Sequence, residues 1–271
     1  MPEGPEVRVI SDQLAKEIKN KVLTDFEIIG GRFSHLPPEN VEHFKKELPV
    51  KLTAVNCKGK FIWFTFGNGW YLFNTLGMTG CWGTEKEKHA AVRLTFDDGS
   101  NIFFMDPRRF GTIKFAYGTN ILQDKLNSLG IDLLETGLTK KDISATFKKK
   151  VQSSNATLAE ILMNQKIFSG VGNYLKAESL YRAKISPWRK GKSLSDDECL
   201  ALLQHVTDIM VDSYEVGGTT IATYKNFEGE MGHYSSKLRV YGKTTDPLGN
   251  VVKNEETPDK RTTWWVPNIQ K

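Results

Sequence analysis

Cysteine is scarce in this chain and widely spaced. Among 271 residues, Cys57, Cys81 and Cys199 stand far apart and form no CxxC pair. That excludes a disulfide framework. The five histidines (His35, His43, His89, His205 and His233) show no close ligand spacing either, so no metal and no cofactor is expected. No apolar run approaches the roughly 18 residues that span a bilayer, and the longest are broken by Lys, Arg or Asp, so no membrane span is expected. The start, Met1-Pro2-Glu3-Gly4-Pro5-Glu6, is acidic and proline-rich, unlike a secretory signal or an Arg-rich transit peptide. Internal repeats and low-complexity tracts are missing as well. With 39% hydrophobic and 25% charged residues the chain reads as a soluble, intracellular globular protein, long enough for two domains.

The net charge of +5 is too small to identify a polyanion binder, but its distribution is uneven. Residues 139–193 hold ten Lys and two Arg against Asp142, Glu160 and Glu178, a net +9 that leaves −4 for the rest of the chain. A segment that follows phosphates needs such a field, although a solvated helical face has the same composition.

Hydrophobic periodicity divides the chain. Val7, Ile10, Leu14 and Ile18 fall at helical spacing, which predicts a helix over 4–18, with Pro5 and Glu6 suited to its first turn. From Val22 to about Phe115 short alternating runs predict strands, with Asn68-Gly69 and Asp98-Gly99 as tight hairpin turns. Beyond Asn120 the period lengthens, predicting helices over 121–129, 157–164, 173–182 and 195–214. Ser195 and Glu198 form a capping box for the last. Residues 131–150 read as a polar linker. After a Gly-rich stretch, 237–241 and 262–266 read as two short strands. The outline is a β-rich N-terminal domain followed by a helical domain that ends in a hairpin.

Pro2 carries a chemical possibility. If Met1 is removed, the chain begins with a secondary amine; α-amino groups titrate near ~8 against ~10.4 for lysine, which leaves a useful neutral, nucleophilic fraction. Attack on a sugar C1′ gives an iminium that stays cationic without a proton, and Glu3 beside it can exchange a proton with the opening sugar ring. In isolation the same residues are equally a proline-led helix start.

The motifs that follow are ordered along the chain: Pro2-Glu3-Gly4-Pro5-Glu6-Val7, Lys58-Gly59-Lys60-Phe61, Leu76-Gly77-Met78-Thr79-Gly80, Asp106-Pro107-Arg108-Arg109-Phe110-Gly111, Asn164-Gln165-Lys166, Ser169-Gly170-Val171-Gly172-Asn173-Tyr174, Gly217-Gly218-Thr219-Thr220 and Val240-Tyr241-Gly242-Lys243. Together they resemble the Fpg/Nei family of formamidopyrimidine-DNA glycosylases and endonuclease VIII, across essentially the whole chain. The resemblance implies an α+β multidomain fold: an N-terminal antiparallel β-sandwich with an N-terminal helix (1–130), a linker (131–150), a helix–two-turn–helix domain (151–234) and a zincless-finger β-hairpin (235–271). It implies a bifunctional DNA glycosylase and AP lyase of base-excision repair acting on damaged double-stranded DNA, as a monomer in a DNA-containing compartment.

By the same resemblance Pro2, Glu3 and Lys60 are catalytic, with Glu6 and Glu178 in support. Met78, Arg108 and Phe110 fill the gap left by a rotated-out nucleotide, a task suited to a flexible wedge, a guanidinium and an aromatic plate. Arg109 is the adjacent alternative to Arg108. Asn173, where a Gly-containing turn opens a helix, and Arg261 grip phosphates. The departure is at the C-terminus. Bacterial members carry a four-cysteine zinc finger, whereas residues 241–271 contain no cysteine, and Leu248, Val266 and Ile269 stand near expected ligand positions. Trp264 and Trp265 are expected to supply the packing that zinc otherwise supplies. Gly217–Tyr234 resembles in length the loop that covers oxidised purines. Gly4 and Gln165-Lys166-Ile167-Phe168-Ser169 look closer to relatives that favour oxidised pyrimidines and hydantoins, which are the expected substrates. A non-catalytic damage binder and an RNA-binding helix–two-turn–helix protein are the rival readings. The first leaves Pro2, Glu3 and Lys60 without a task, and the second leaves the 106–111 loop without one.

Overall fold

The computed structural model describes residues 2–135, 139–220 and 224–271, Lys140 by its backbone alone. Two compact units divide the chain, residues 2–128 with 216–233, and 129–215 with 234–271.

The first unit opens with α1 (Gly4–Ile18), the span its periodicity predicts. Glu3 and Glu6 close a reciprocal capping box at its start, so two amides without intrahelical partners find acceptors. Eight antiparallel strands follow: β1 (Val22–Ile28), β2 (Val50–Lys58), β3 (Phe61–Phe66), β4 (Trp70–Thr75), β5 (Cys81–Gly83), β6 (Ala90–Phe96), β7 (Asn101–Met105) and β8 (Thr112–Tyr117). Their order is β5-β7-β6-β1-β2-β3-β4-β8. Only Val22 and Leu23 of β1 pair with β2, before β1 continues along β6, and this short seam lets the sheet fold back as two layers. Phe26 of β1 meets Phe115 of β8 at 4.9 Å, and Trp82 of β5 meets Phe64 of β3 at 5.4 Å, so strands distant in the order face each other across the core. Val7, Ile10, Leu14 and Ile18 complete that core. The predicted turns are present, with Gly69 and Gly99 at φ +85° and +80°. The short helices α2 (Val41–Lys45) and α3 (Thr119–Asn127) lie at the margins.

The second unit holds α4 (Lys140–Gln152), α5 (Leu158–Met163), α6 (Asn173–Ala183) and α7 (Asp196–Glu215). It also holds a short parallel pair, β9 (Ile131–Asp132) with β10 (Phe168–Ser169), and an antiparallel hairpin, β11 (Lys253–Glu256) with β12 (Thr262–Trp265). The capping box expected at α7 is formed: Ser195 N donates to Glu198 Oε2 at 2.8 Å and Glu198 N to Ser195 Oγ at 3.2 Å. Arg189 also holds the Glu198 carboxylate, and its hydrogen bonds keep the group at about 2 instead of the ordinary 4.5. A depressed carboxylate stabilises the fold fully above its unfolded value and loses that contribution as pH falls through the folded one. Glu198→Gln should therefore flatten the loss of stability between about pH 5 and pH 2, by less than about 1 kcal/mol because the pair is partly solvated. Urea midpoints measured across that range check it.

Three boundaries differ from the sequence reading. Residues 131–150 are not a linker: α4 buries Phe147 and Val151, and Phe147 stacks on Phe168 at 4.6 Å. Residues 216–233 belong to the first unit instead of the helical domain, because Tyr224 and Phe227 are buried in the sandwich core and Phe227 N donates to Gln13 Oε1 at 3.0 Å. Residues 237–241 form no strand, since a carboxylate takes the amides that a ladder would need; the hairpin's first strand is β11.

Candidate active site and nucleic-acid interface

In the first unit, α1 brings Pro2, Glu3 and Glu6 into the protein. Pro2 is buried and lines a narrow cleft with Met78, Thr79, Gly80, Cys81, Tyr224 and Lys225. Glu3 and Glu6 are 2% and 1% exposed. Glu6 uses both oxygens: Oε2 accepts from Glu3 N at 2.8 Å and Oε1 from Thr219 N at 2.7 Å. One carboxylate thus fixes the backbone of Glu3 and the start of the 217–233 loop together. Gly218, at φ +95°, is required there, because a Cβ would stand 2.9 Å from Glu6 Cγ. Tyr224 closes the loop by donating to Gly217 O at 3.3 Å, and burial, with Glu6 adding to it, pushes its phenol well above the ordinary range. Burial, with Glu87 and Asp106 adding to it, raises the Cys81 thiol to about 11. That leaves little thiolate at neutral pH in the cleft that Pro2 lines. The part of the specificity-loop reading at 221–223 falls outside the described residues.

Lys60 is presented by a two-residue turn between β2 and β3. Lys58 pairs with Phe61, and Gly59 takes φ +57° at the first central position, as a type II′ turn requires.

Met78 and the 106–111 loop are fastened by a residue that sequence reasoning quoted without singling out. Asp106 is 5% exposed; its Oδ1 accepts from Thr79 Oγ at 2.6 Å and its Oδ2 from Gly111 N at 2.6 Å. Thr79 Oγ in turn accepts from Arg108 N at 3.0 Å. Gly77, at φ +62°, lies so close to Phe110 that a Cβ would stand 2.7 Å from its carbonyl carbon. The two loops therefore form one hydrogen-bonded platform that presents Met78, Arg108 and Phe110. Phe110 is 54% exposed, with the Arg108 guanidinium 5.2 Å from its ring centroid. Arg109 instead occupies a left-handed turn position at φ +60°, and its carbonyl accepts from Arg32 at 3.5 Å. Asp106→Ala should loosen this platform, so that amide hydrogen exchange at Arg108 and Gly111 quickens by about tenfold or more while the strands of the sheet keep their protection.

In the second unit, Gly172 is the N-cap of α6 and Asn173 its first residue. Asn173 Nδ2 donates to Thr262 O at 2.8 Å, and its buried Oδ1 has no hydrogen-bond partner among the described residues. Arg261, next to Thr262, is exposed at the tip of the β11–β12 hairpin. The structure thus brings Asn173 and the segment that carries Arg261 together. Glu178 is fully buried, and its carboxylate accepts from the amides of Arg239, Val240 and Tyr241 at 2.8–3.0 Å. That backbone, and no ion pair among the described residues, takes up its carboxylate.

The hairpin is packed without the donor set a zinc finger needs. Residues 241–271 hold neither Cys nor His, and among the described residues no group of three or more His, Cys, Asp or Glu could hold a metal ion. Val240, Val252 and Val266 pack with Ala177 and Tyr181, flanked by Tyr241, Trp264 and Ile269. Trp265 packs at a tilt against Trp188 at 4.7 Å, and Tyr241 against Trp264 at 4.5 Å. Lys176 and Asp259, 0% and 5% exposed, pair at 2.7 Å. Asp246 accepts from Tyr181 Oη at 3.0 Å and from the amides of Leu248 and Asn250, which folds the loop before β11.

Residues 1–113 match the formamidopyrimidine-DNA glycosylase N-terminal domain, 133–225 the H2TH domain of those enzymes and 233–271 their C-terminal domain. The formamidopyrimidine-DNA glycosylase of Shouchella clausii is 30% identical over 279 residues, covering 100% of this chain and 99% of that protein. That of Listeria innocua is 31% identical over 282 residues and covers both chains completely, at 100%. Among solved structures, MutM (Fpg) of Thermus thermophilus superposes with a TM-score of 0.86 at 25% identity, covering 99% of this chain and 98% of that one. A Lactococcus lactis Fpg variant in complex with Fapy-dG-containing DNA superposes at 0.87 and 25%, covering 100% of each. With its three consecutive domains matched and full-length relatives at this identity, the chain belongs to the formamidopyrimidine-DNA glycosylase (Fpg/Nei) family.

Proposed function

We propose that this protein is a bifunctional DNA glycosylase and AP lyase that removes oxidised bases, chiefly pyrimidines and hydantoins, from double-stranded DNA. The observation that carries this reading is the burial of Pro2 and Glu3: Pro2 lines the cleft with Met78, while the Glu3 backbone is pinned by Glu6. A group so confined has few conformations to lose on attack. With Met1 removed, the Pro2 nitrogen bonds to C1′ as the bond from C1′ to the base breaks, the base leaving with that electron pair and taking up the proton the amine gives up. Glu3 protonates the ring oxygen as the sugar opens, leaving an iminium on Pro2. Removal of a C2′ proton sends the C–H electrons into the iminium as an enamine. The enamine returns them to form the C2′=C3′ bond as the C3′–O3′ bond breaks and O3′ leaves with its phosphate. Loss of a C4′ proton with cleavage of C5′–O5′ then leaves a one-nucleotide gap flanked by phosphates.

Met78, Arg108 and Phe110 occupy the space of the rotated-out nucleotide, and Lys60 contacts phosphate or the damaged nucleotide near Pro2. Asn173 and Arg261 hold the backbone, aided by the basic segment 139–193, and the bent duplex exposes the lesion. The enzyme acts as a monomer without metal or cofactor, in a DNA-containing compartment. No described helix is long and apolar enough to cross a membrane.

Borohydride reduction on lesion duplexes tests the proposal. The expected product is a covalent adduct whose mass spectrum places the sugar on the N-terminal Pro2 peptide, with trapping falling by at least about tenfold in Pro2→Gly. An adduct on an internal lysine such as Lys60, or full strand scission with no adduct, contradicts it.

A further inference from the structure

α7 carries a surface that neither strand scission nor phosphate binding uses. Six of its residues are Asp or Glu and none is Lys or Arg, in a unit whose 139–193 segment is strongly basic. Asp196 pairs with Lys148 and Glu198 with Arg189, whereas Asp208, Asp212 and Glu215 form no ion pair with a described residue. This face repels a polyanion, so bound DNA leaves it open.

The face is also apolar in a specific pattern. Leu200, Gln204, Thr207, Val211 and Tyr214 recur at alternating steps of four and three residues. Leu200, Val211 and Tyr214 are 46%, 38% and 37% exposed, three of the ten large exposed hydrophobics among the described residues. Steps averaging 3.5 residues keep one stripe of a helix against one neighbouring helix along its length, whereas a partner sheet or loop has no such requirement. Ile143 and Ser144 of α4 form the opposite wall, and the groove between them encloses about 600 Å³. Asp208 and Glu215 follow Gln204 and Val211 by four positions each, so they flank the stripe where a packed helix places its oppositely charged neighbours. Arg182, at the floor, is occupied by Tyr234 Oη at 2.9 Å.

We propose that the α4–α7 groove docks a single amphipathic helix of a partner protein, with apolar residues at heptad spacing and Lys or Arg facing Asp208 and Glu215. The mixed seam of Leu, Gln, Thr, Val and Tyr suits a reversible contact rather than an obligate one.

The probe is a labelled synthetic helix of about four turns with Leu at alternating three- and four-residue steps and Lys along both flanks; a twin carries Glu in place of Lys. Fluorescence anisotropy with the full chain should show binding of the Lys peptide only. Leu200→Ser with Val211→Ser should weaken it by about tenfold or more, and Asp208→Lys with Glu215→Lys should reverse the preference towards the Glu twin. Circular dichroism and strand scission should be unchanged, since these side chains lie on the surface and outside the proposed machinery. Absence of binding, equal binding by all variants, or self-association of the parent protein through Leu200 and Val211 in sedimentation overturns the proposal.

Discussion

Glu3→Gln is expected to slow excision of an oxidised base by ~10²-fold or more while leaving borohydride trapping on a pre-formed abasic duplex within about tenfold of the parent. The two substrates ask different things of the side chain. In the proposed mechanism an intact nucleotide needs a proton delivered to its ring oxygen as the bond to the base breaks. An abasic sugar is already in equilibrium with its open aldehyde, and the Pro2 amine can condense with it unaided. Glutamine preserves the size of Glu3, and its carbonyl can still accept from the helix amide in the capping box, so the fold and the placement of Pro2 survive. Burial sharpens the contrast, because at 2% exposure little water is at hand to replace the lost proton donor. Single-turnover excision and trapping, measured in parallel, separate the roles. Equal excision by parent and variant removes Glu3 from the chemistry; parallel loss of both signals assigns it to positioning Pro2.

The sequence exposes some of this architecture better than the rest. α1 and its first turn are legible because Pro5, Glu6 and the Val7-Ile10-Leu14-Ile18 stripe all act within a few residues of one another. The same holds for the α7 capping box and for the turns at Gly69 and Gly99. α4 carried a signal that its lysines obscured: Ile143, Phe147 and Val151 recur every fourth residue, two of them buried. Other features have no local signature. Glu6 reaches Thr219, Glu178 reaches residues 239–241 and Asp106 reaches Thr79, each a buried carboxylate satisfied by groups distant in the chain. Val240 suggested a strand because it is apolar and next to polar residues. Only the structure reveals that its amide belongs to Glu178. Motif resemblance therefore located Met78, Arg108 and Phe110 without disclosing the Asp106–Thr79 platform that holds them.

The largest stability effect is expected at the C-terminal hairpin. Lys176→Met should cost about 3–5 kcal/mol, because it leaves Asp259 buried without its cation. Asp259 also accepts from the Thr257 hydroxyl, whose oxygen lies 2.7 Å from Thr263 Oγ and 3.0 Å from Arg261 O. An unpaired carboxylate at this point therefore disturbs the turn that carries Arg261, and under the proposed role of Arg261 the loss extends from stability to phosphate binding. Adding Asp259→Leu to Lys176→Met should restore most of the stability, since two apolar side chains replace a charge pair that had to be desolvated. Urea titrations followed by circular dichroism and tryptophan fluorescence report the loss of stability, and the salt dependence of duplex binding tests the proposed contact of Arg261. If the single variant unfolds at the parent's urea concentration, the pair contributes nothing. In that case the closure of the hairpin falls to the Val240–Val252–Val266 packing. If the double variant recovers stability but binds DNA with a weaker salt dependence, the buried pair serves to aim Arg261 more than to hold the strands together.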